Sequence, residues 1–227
     1  MVPPADPSDP AGADAASISP TGALGYPDRP CRNGKSAMTQ WPAPRLSPPD
    51  PSTYDARQRE IHDAIASGPR GFVRGPLAIW MHRPELAAHA QALGRYCRYD
   101  SALPPRLSEL AILTIARIWG AEYEWYAHKP PALAAGVAPD IIEAIRTDQP
   151  PVFAHEDEEI VHAFTRAAHL DRDVPDALYR RAAVALGEDG VVDLVGILGY
   201  YSLISLTLNI FRVNPPEDAP AELGDGA

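Results

Sequence analysis

The sequence has few cysteines, no cluster of basic residues and almost none of the alternation that marks β-strands. Its two cysteines, Cys31 and Cys97, lie far apart and form no CxxC motif. This pattern indicates reduced thiols and argues against a disulfide framework. The first 20 residues also lack the basic and apolar regions of a secretory signal, so we expect a cytoplasmic protein.

Positive charge is scarce as well. The net charge is −10 at pH 7, and the isoelectric point is about 5.1. An acidic surface repels phosphate backbones and anionic lipid headgroups, so we expect neither nucleic acid nor a membrane as a partner. The sequence shows no glycine-rich phosphate loop and no nucleophile elbow, and we expect no cofactor.

The longest apolar stretch, residues 191–211, has the length of a membrane span. It contains Asp193, Asn209 and two glycines, and its N-terminal side lacks basic flanking residues. A buried core helix or a subunit-interface helix gives the same pattern. We therefore expect this stretch to lie inside the protein or between subunits.

Proline divides the chain into a domain and two tails. Twelve of the 26 prolines fall in residues 1–52, which we expect to form a disordered N-terminal tail. Translation from Met1 and translation from Met38 both remain open. Residues 53–215 are expected to form one helical domain, and residues 216–227 a disordered C-terminal tail.

Proline and glycine breaks within the domain predict an all-α fold, a bundle of about eight helices. No segment has a strand pattern that competes with this assignment. The predicted helical segments are 54–67, 76–82, 84–100, 105–120, 121–136, 139–147, 156–170, 175–186 and 189–213.

The stretch LSELAILTIARIWGAEYEWYAH, residues 107–128, carries the candidate chemistry. Glu109 lies on the apolar stripe of its predicted helix. Burying a carboxylate there costs free energy unless the carboxylate is paired or has a catalytic use. The alternative is that Glu109 simply lies in the first turn of the helix, where its negative charge complements the helix dipole. Glu124 and His128 lie one turn apart, which permits a carboxylate–imidazole pair able to act as an acid or base. A surface ion pair would have the same spacing, while Glu122 is expected on a different, solvated face.

One further pair has the spacing of a metal ligand set. Glu159 and His162 form a Glu-x-x-His, which is half of a di-iron motif. No second half-motif accompanies it, and an acidic run surrounds it. We therefore interpret this pair as part of a solvated helix start and expect no metal.

The LSE and GAEYEWxxH segments resemble the core motif of the carboxymuconolactone decarboxylase / alkylhydroperoxidase D-like family. Its peroxidase branch has two cysteines where this chain has Ala121 and Glu124, and its tyrosine falls on Tyr123. A glutamate at the second of these positions is similar to the decarboxylase-like members. The resemblance covers roughly residues 54–213.

The resemblance implies a small-molecule substrate and a lyase. The implied reaction is decarboxylation of a carboxymuconolactone-like acid in aromatic compound catabolism, with His128 as the proton donor and Glu124 and Glu109 as its partners. Tyr123, Trp125, Arg74 and Arg117 are the candidate substrate-binding residues. The family also implies a homo-oligomer, a trimer or a hexamer, with the long C-terminal helix in its interface.

Two alternatives stay open beside the lyase. One is an alkylhydroperoxidase-like oxidoreductase, which the missing cysteines disfavour. The other is a non-catalytic oligomeric binding protein of the same fold. Pro130 and Pro131 depart from the motif, because proline inside a helix removes a hydrogen bond, so we expect the helix to kink or restart just after His128.

Overall fold

Eight α-helices and no strands make up the described part of the chain, residues 41–224, in the computed structural model. The all-α prediction is therefore confirmed. A 3₁₀ turn at Pro51–Thr53 precedes the first helix, and a π-helical turn at Tyr96–Asp100 extends the third. The helices are α1 Ala56–Ala66, α2 Pro76–Trp80, α3 Pro84–Arg95, α4 Pro105–Trp119, α5 Glu122–Ala134, α6 Pro139–Arg146, α7 Glu156–Leu170 and α8 Asp176–Phe211.

Helix α4 lies at the centre of the bundle. Ten successive residues, from Leu107 to Ala116, are buried, because α4 packs against α5, α7 and α8 on different sides. The helix ends at Gly120, which has a left-handed backbone (φ 59°) and turns the chain directly into α5. This geometry carries Glu109 into the interior and sets α5 against it.

Two apolar cores lie on opposite sides of α4. The larger core joins residues of α1–α4, α7 and α8, including Trp80, Ile112, Ile160 and Leu194. The smaller core joins the other side of α4 to α5 and α6. Both cores bury apolar surface against the same helix, which makes α4 the common support of the fold.

Helix α5 continues through Pro130 and Pro131, so the predicted break just after His128 is wrong. The two prolines cannot donate to the carbonyls of Tyr126 and Ala127, one turn earlier. Tyr126 is exposed, where water can bind its carbonyl. The hydrogen bond lost at Pro130 therefore lies near the surface, and His128 stays within a continuous helix.

Helix α8 spans two of the predicted segments. Its backbone leaves helical geometry at Gly187 (φ 76°, ψ 164°), a conformation that favours glycine. The break predicted between residues 186 and 189 is thus a local interruption at Gly187 within a helix that ends at Phe211.

The predicted tail boundaries need correction. Part of the N-terminal segment is held against the domain, since the Arg45 amide donates to the carbonyl of Phe211 at 3.0 Å. At the other end, Leu223 is buried in the smaller core. Residues 41–52 and 216–224 therefore pack on the helical domain, whereas residues 1–40 and 225–227 lie outside the described residues.

Within residues 41–224, one helix is long and apolar enough to cross a membrane, and this helix is α8. In its most apolar 18-residue window, 61% of the residues are buried inside the protein. A core helix with one uncovered face has these properties.

The Leu223 contact yields a stability prediction. Leu223→Ala should lower the free energy of unfolding by about 2 kcal/mol, because a buried leucine side chain is lost from the smaller core. Leu86→Ala, at a leucine 46% exposed, is the matched control and should change it by less than about 0.5 kcal/mol. Equal effects in urea unfolding would show that residues 216–224 add no stability.

Candidate active site

A buried carboxylate–imidazole–carboxylate cluster joins α4 to α5. Nδ1 of His128 lies 2.6 Å from Oε2 of Glu109, and Nε2 of His128 lies 3.0 Å from Oε1 of Glu124. All three side chains are buried, each less than 10% exposed. The sequence predicted the pair on α5, and the packing of α4 against α5 adds Glu109 to it.

The two carboxylates determine the charge of the imidazole. Burial alone lowers the pKa of His128, but the charges of Glu124 and Glu109 and their hydrogen bonds raise it to about 9. At neutral pH His128 is therefore an imidazolium, and each ring nitrogen donates a hydrogen bond to one carboxylate. The buried imidazolium therefore holds a proton that it can donate, as a general acid requires.

Two tyrosines of α8 pack over the cluster. The ring of Tyr201 meets the ring of His128 edge-on, with centroids 5.2 Å apart. Burial and the nearby charge of Glu124 raise the pKa of Tyr201 well above its usual value, so its phenol stays protonated. Tyr200 packs edge-on against Tyr201 and extends this aromatic wall.

A cavity of about 250 Å³ opens beside His128 and Glu124. Glu109 does not line it, because this carboxylate lies behind the imidazole. The cavity can hold a small organic molecule and is slightly smaller than ordinary ligand sites. Its polar lining contains His128 and Glu124 together with three guanidinium groups, and Tyr123, Tyr200 and Tyr201 supply aromatic walls.

The three guanidinium groups belong to Arg70, Arg74 and Arg98. Nε of Arg70 is buried and has no hydrogen-bond partner among the described residues. Arg74 lies over the ring of Phe72, 3.9 Å from its centroid. An unpaired buried donor is costly, so Arg70 in particular favours an anionic ligand. Arg74 was predicted from the sequence, while Arg70 and Arg98 were not.

Two glycines allow the cavity walls to come close. A Cβ on Gly75 would lie 2.8 Å from the hydroxyl oxygen of Tyr123, and a Cβ on Gly94 would overlap the hydroxyl of Tyr200. Gly75 also has a left-handed φ of 60°. Sequence reasoning missed Gly94, although its signal was a glycine inside a helix, where glycine weakens the helix.

Two predicted substrate-binding residues lie away from the cavity. Trp125 is fully buried in the smaller core, and its indole N–H donates to Oε2 of Glu222 at 3.2 Å. Arg117, near the end of α4, does not line the cavity either. Of the four predicted residues, the structure brings Tyr123 and Arg74 to the cavity.

Glu122 also differs from its expectation. Its carboxylate accepts hydrogen bonds from the backbone amides of Glu222 and Leu223, so it is partly buried and not on a solvated face. Burial raises its pKa. Glu122 thus anchors residues 216–224 at the start of α5, away from the cavity.

Glu159 and His162 were interpreted together as part of a solvated helix start, and the structure agrees for Glu159 but not for His162. Glu159 is exposed and pairs with Arg181, whereas His162 is buried against the ring of Phe153. No group of three acidic, histidine or cysteine side chains arranged to hold a metal ion occurs within residues 41–224.

The cysteine that the structure describes lies outside the cavity lining. Cys97 is buried in the larger core, where burial raises its pKa to about 11. A thiol in that state is a poor nucleophile at neutral pH. The motif positions of the two redox cysteines hold Ala121 and Glu124 in this chain.

Fold and site together define a class: an all-helical protein with a buried His–Glu acid–base cluster beside a small cationic cavity. The model of the carboxymuconolactone decarboxylase family matches residues 84–169, which include all three residues of the cluster. Over these residues the chain resembles that family.

Solved structures share the fold. An alkylhydroperoxidase AhpD core, an uncharacterized peroxidase-related protein from Ralstonia eutropha JMP134, superposes with a TM-score of 0.62 at 13% identity and covers 77% of this chain and 93% of its own. A second structure is a protein of unknown function from Agrobacterium tumefaciens, proposed to be the antioxidant defence protein AhpD. It superposes with a TM-score of 0.53 at 18% identity and covers 63% of this chain and 99% of its own. No curated protein sequence matches the chain.

The raised pKa of His128 has a consequence for stability. The folded-state pKa of about 9 lies above the usual histidine value of 6.5, so the stabilisation from the charged imidazole is complete below about pH 6.5. It is lost as the pH rises through 9. The free energy of unfolding should therefore fall across this interval. His128→Gln should flatten that part of the profile in urea titrations, and an unchanged slope in the variant would contradict a charged His128.

The close approach at Gly94 predicts a second effect. Gly94→Ala should displace the Tyr200 hydroxyl and Arg70 from the cavity wall, because the added methyl group occupies their space. We expect loss of stability, although alanine is the better helix former. The control is Gly196→Ala on α8, where nothing lies within 4 Å of the added atom. A more stable Gly94→Ala protein would contradict the packing.

Proposed function

We propose that this protein is a cofactor-free lyase that decarboxylates a small carboxylated lactone or a related enolisable acid, by acid–base catalysis centred on His128. The observation that carries the proposal is the imidazole held between two carboxylates at the edge of a cationic cavity. The match to the carboxymuconolactone decarboxylase family model supports the same reaction class. A cytoplasmic role in aromatic compound catabolism belongs to this proposal.

The proposed reaction needs a proton donor for the carbanion that decarboxylation leaves. Cleavage of the bond to the carboxyl carbon releases carbon dioxide and leaves the bonding electron pair on the substrate as an enolate. His128, protonated at neutral pH, supplies the proton from Nε2 to the carbanionic carbon, and solvent later restores it. One proton is consumed for each carbon dioxide released, and no oxidant or reductant takes part.

The two glutamates have different positions and therefore different roles in the proposal. Glu109 lies behind the ring on Nδ1 and orients the imidazole, because it has no access to the cavity. Glu124 lies on Nε2 and lines the cavity, so it must yield its hydrogen bond when substrate binds. Its carboxylate then relays the proton that recharges His128.

The cations of the cavity would bind the acid. Arg70, with its unpaired buried Nε, and Arg74 suit a substrate carboxylate. Arg98 lies near enough to Glu109 and Glu124 for its charge to interact with theirs, so it balances the negative charge of the cluster. Tyr123 and Tyr201 would enclose the apolar part of the substrate.

The central prediction concerns turnover. The purified protein should release carbon dioxide from 4-carboxymuconolactone, and His128→Ala should lower kcat about a hundredfold or more, the usual scale for a lost acid or base. His89→Ala, an exposed histidine on α3, is the matched control and should leave kcat unchanged.

Two outcomes would contradict this assignment. Equal turnover in the wild type and in His128→Ala would remove the role of His128. No turnover of this or of related enolisable acids, together with tight binding of them, would favour the non-catalytic binding protein.

A redox route makes the opposite prediction for Cys97. Under the lyase proposal Cys97→Ala should keep the wild-type kcat, because the thiol is buried in the larger core and has a raised pKa. Loss of turnover in a folded Cys97→Ala protein, or peroxide reduction by the wild type, would support the alkylhydroperoxidase-like alternative.

A further inference from the structure

The π-helical turn at Tyr96–Asp100 carries one of the cavity arginines. Arg98 and Tyr99, in the middle and second half of the turn, line the cavity. Cys97, one residue before Arg98, is instead buried in the larger core. π-helical turns are rare and occur frequently at functional sites. Here the turn directs neighbouring side chains to the core and to the cavity.

The guanidinium of Arg98 depends on this turn for its position. It lies over the ring of Tyr99, 5.6 Å from the centroid, and it forms no salt bridge within residues 41–224. Its charge interacts with those of Glu109 and Glu124 from beyond salt-bridge distance. Because no paired carboxylate holds Arg98, a change in the turn would move its charge relative to the carboxylate–imidazole–carboxylate cluster.

A carboxylate of α8 bridges the two ends of the turn. The hydroxyl of Tyr96 donates to Oδ1 of Asp193 at 2.6 Å, and the amide of Ala102 donates to Oδ2 at 2.7 Å. Tyr96 is the first residue of the turn, and Ala102 lies two residues beyond its last. Each oxygen of the carboxylate therefore holds one end, and Arg98 lies between the two in the sequence.

The burial of Asp193 calls for a physical reason. Its side chain is 7% exposed, and in the described part of the chain it forms no salt bridge. A buried carboxylate without a cation costs free energy that its hydrogen bonds must offset. Asp193 does not line the cavity, so it has no contact with a bound substrate. Both of its hydrogen bonds go to the ends of the turn.

An ion pair at the surface spans the same turn. Nε of Arg95 lies 3.5 Å from Oδ2 of Asp100, and both side chains are at least half exposed. Exposed pairs of this kind contribute little to stability. Asp100 therefore provides a matched control, because it is a carboxylate of the turn that should not hold its shape.

We propose that Asp193 is a positioning residue of the active site, which holds Arg98 beside the cluster through the turn that it bridges. Its effect on catalysis rests on the proposed function, in which Arg98 balances the negative charge of the cluster. Its effect on geometry depends on no reaction and can be measured without turnover.

The first test is the NMR titration of the imidazole of His128, which requires no substrate. Tyr96→Phe removes one hydrogen bond to Asp193 and no charge. When Arg98 moves away, the cluster loses part of a compensating positive charge, and more negative surroundings raise the pKa of His128. The midpoint should therefore move above its wild-type position near pH 9.

Asp193→Asn tests the bridge in the same titration. The carbonyl oxygen of asparagine can replace only one of the two carboxylate oxygens, so one end of the turn is released. The midpoint of His128 should rise again. Loss of the negative charge at residue 193 would by itself lower the pKa, so a rise reports the displaced arginine. Asp100→Asn is the control and should not raise the midpoint.

Arg98→Gln identifies the residue through which Asp193 acts. This change alone should raise the His128 midpoint, because it removes the positive charge. Adding Tyr96→Phe should then produce no further rise, since the turn no longer positions a charge. An unchanged midpoint in a folded Tyr96→Phe protein overturns the proposal, and so does an equal rise with and without Arg98.

Turnover of 4-carboxymuconolactone separates this proposal from the proposed function. Tyr96→Phe should lower kcat about tenfold or more, as a displaced active-site group does, and Arg98→Gln should lower it at least as much. The double variant should be no slower than Arg98→Gln alone, and Asp100→Asn should keep the wild-type kcat.

The outcomes of the two experiments can be told apart. No turnover by the wild type would contradict the proposed function, and the His128 titration would then decide the role of Asp193. A wild-type kcat in Tyr96→Phe, beside a slow Arg98→Gln, would overturn the positioning role and leave the proposed function standing.

Discussion

The hydrogen-bonded contact of His128 with Glu109 and Glu124 is the constraint on which the site depends. Two buried carboxylates require a cation, and the protonated imidazole supplies it through both ring nitrogens. The contact also joins α4 to α5. The same interaction thus ties two helices together and holds a proton at the edge of a cavity.

The remaining structure supports this contact from three sides. Gly120 turns α4 into α5, so that Glu109 meets His128 across a short connection. Helix α8 covers the cluster with Tyr201. Gly94 allows Tyr200 and Arg70 to close the cavity wall. Cations on that wall offset the acidic charge of the whole chain at the place where an acid would bind.

Local patterns predicted most of the fold. Helical periodicity and Pro–Gly breaks located the helices, because these signals act within a few residues. The kink or restart predicted just after His128 was wrong, because α5 continues through Pro130 and Pro131 despite the local cost of proline. The packed ends at Arg45 and Leu223 were also missed, as short segments without periodicity gain their stability from contacts that sequence spacing does not encode.

Some residues of the candidate site were predicted from the sequence, and others were not. Glu124 and His128 followed from their spacing on one helix, and Glu109 followed from the family resemblance. Arg70 and Arg98 come from segments distant in sequence, so no spacing rule joined them to the motif. Trp125 was misassigned because a residue next to a motif residue lies on a different helix face, which here faces the smaller core.

The most direct measurement is an NMR titration of the imidazole nitrogens of His128, assigned by comparison with His128→Gln. The structure predicts that both nitrogens stay protonated at neutral pH and titrate near pH 9. A neutral imidazole at pH 7, with a pKa at or below the usual 6.5, would contradict the charged cluster and with it the proton donor of the proposed reaction.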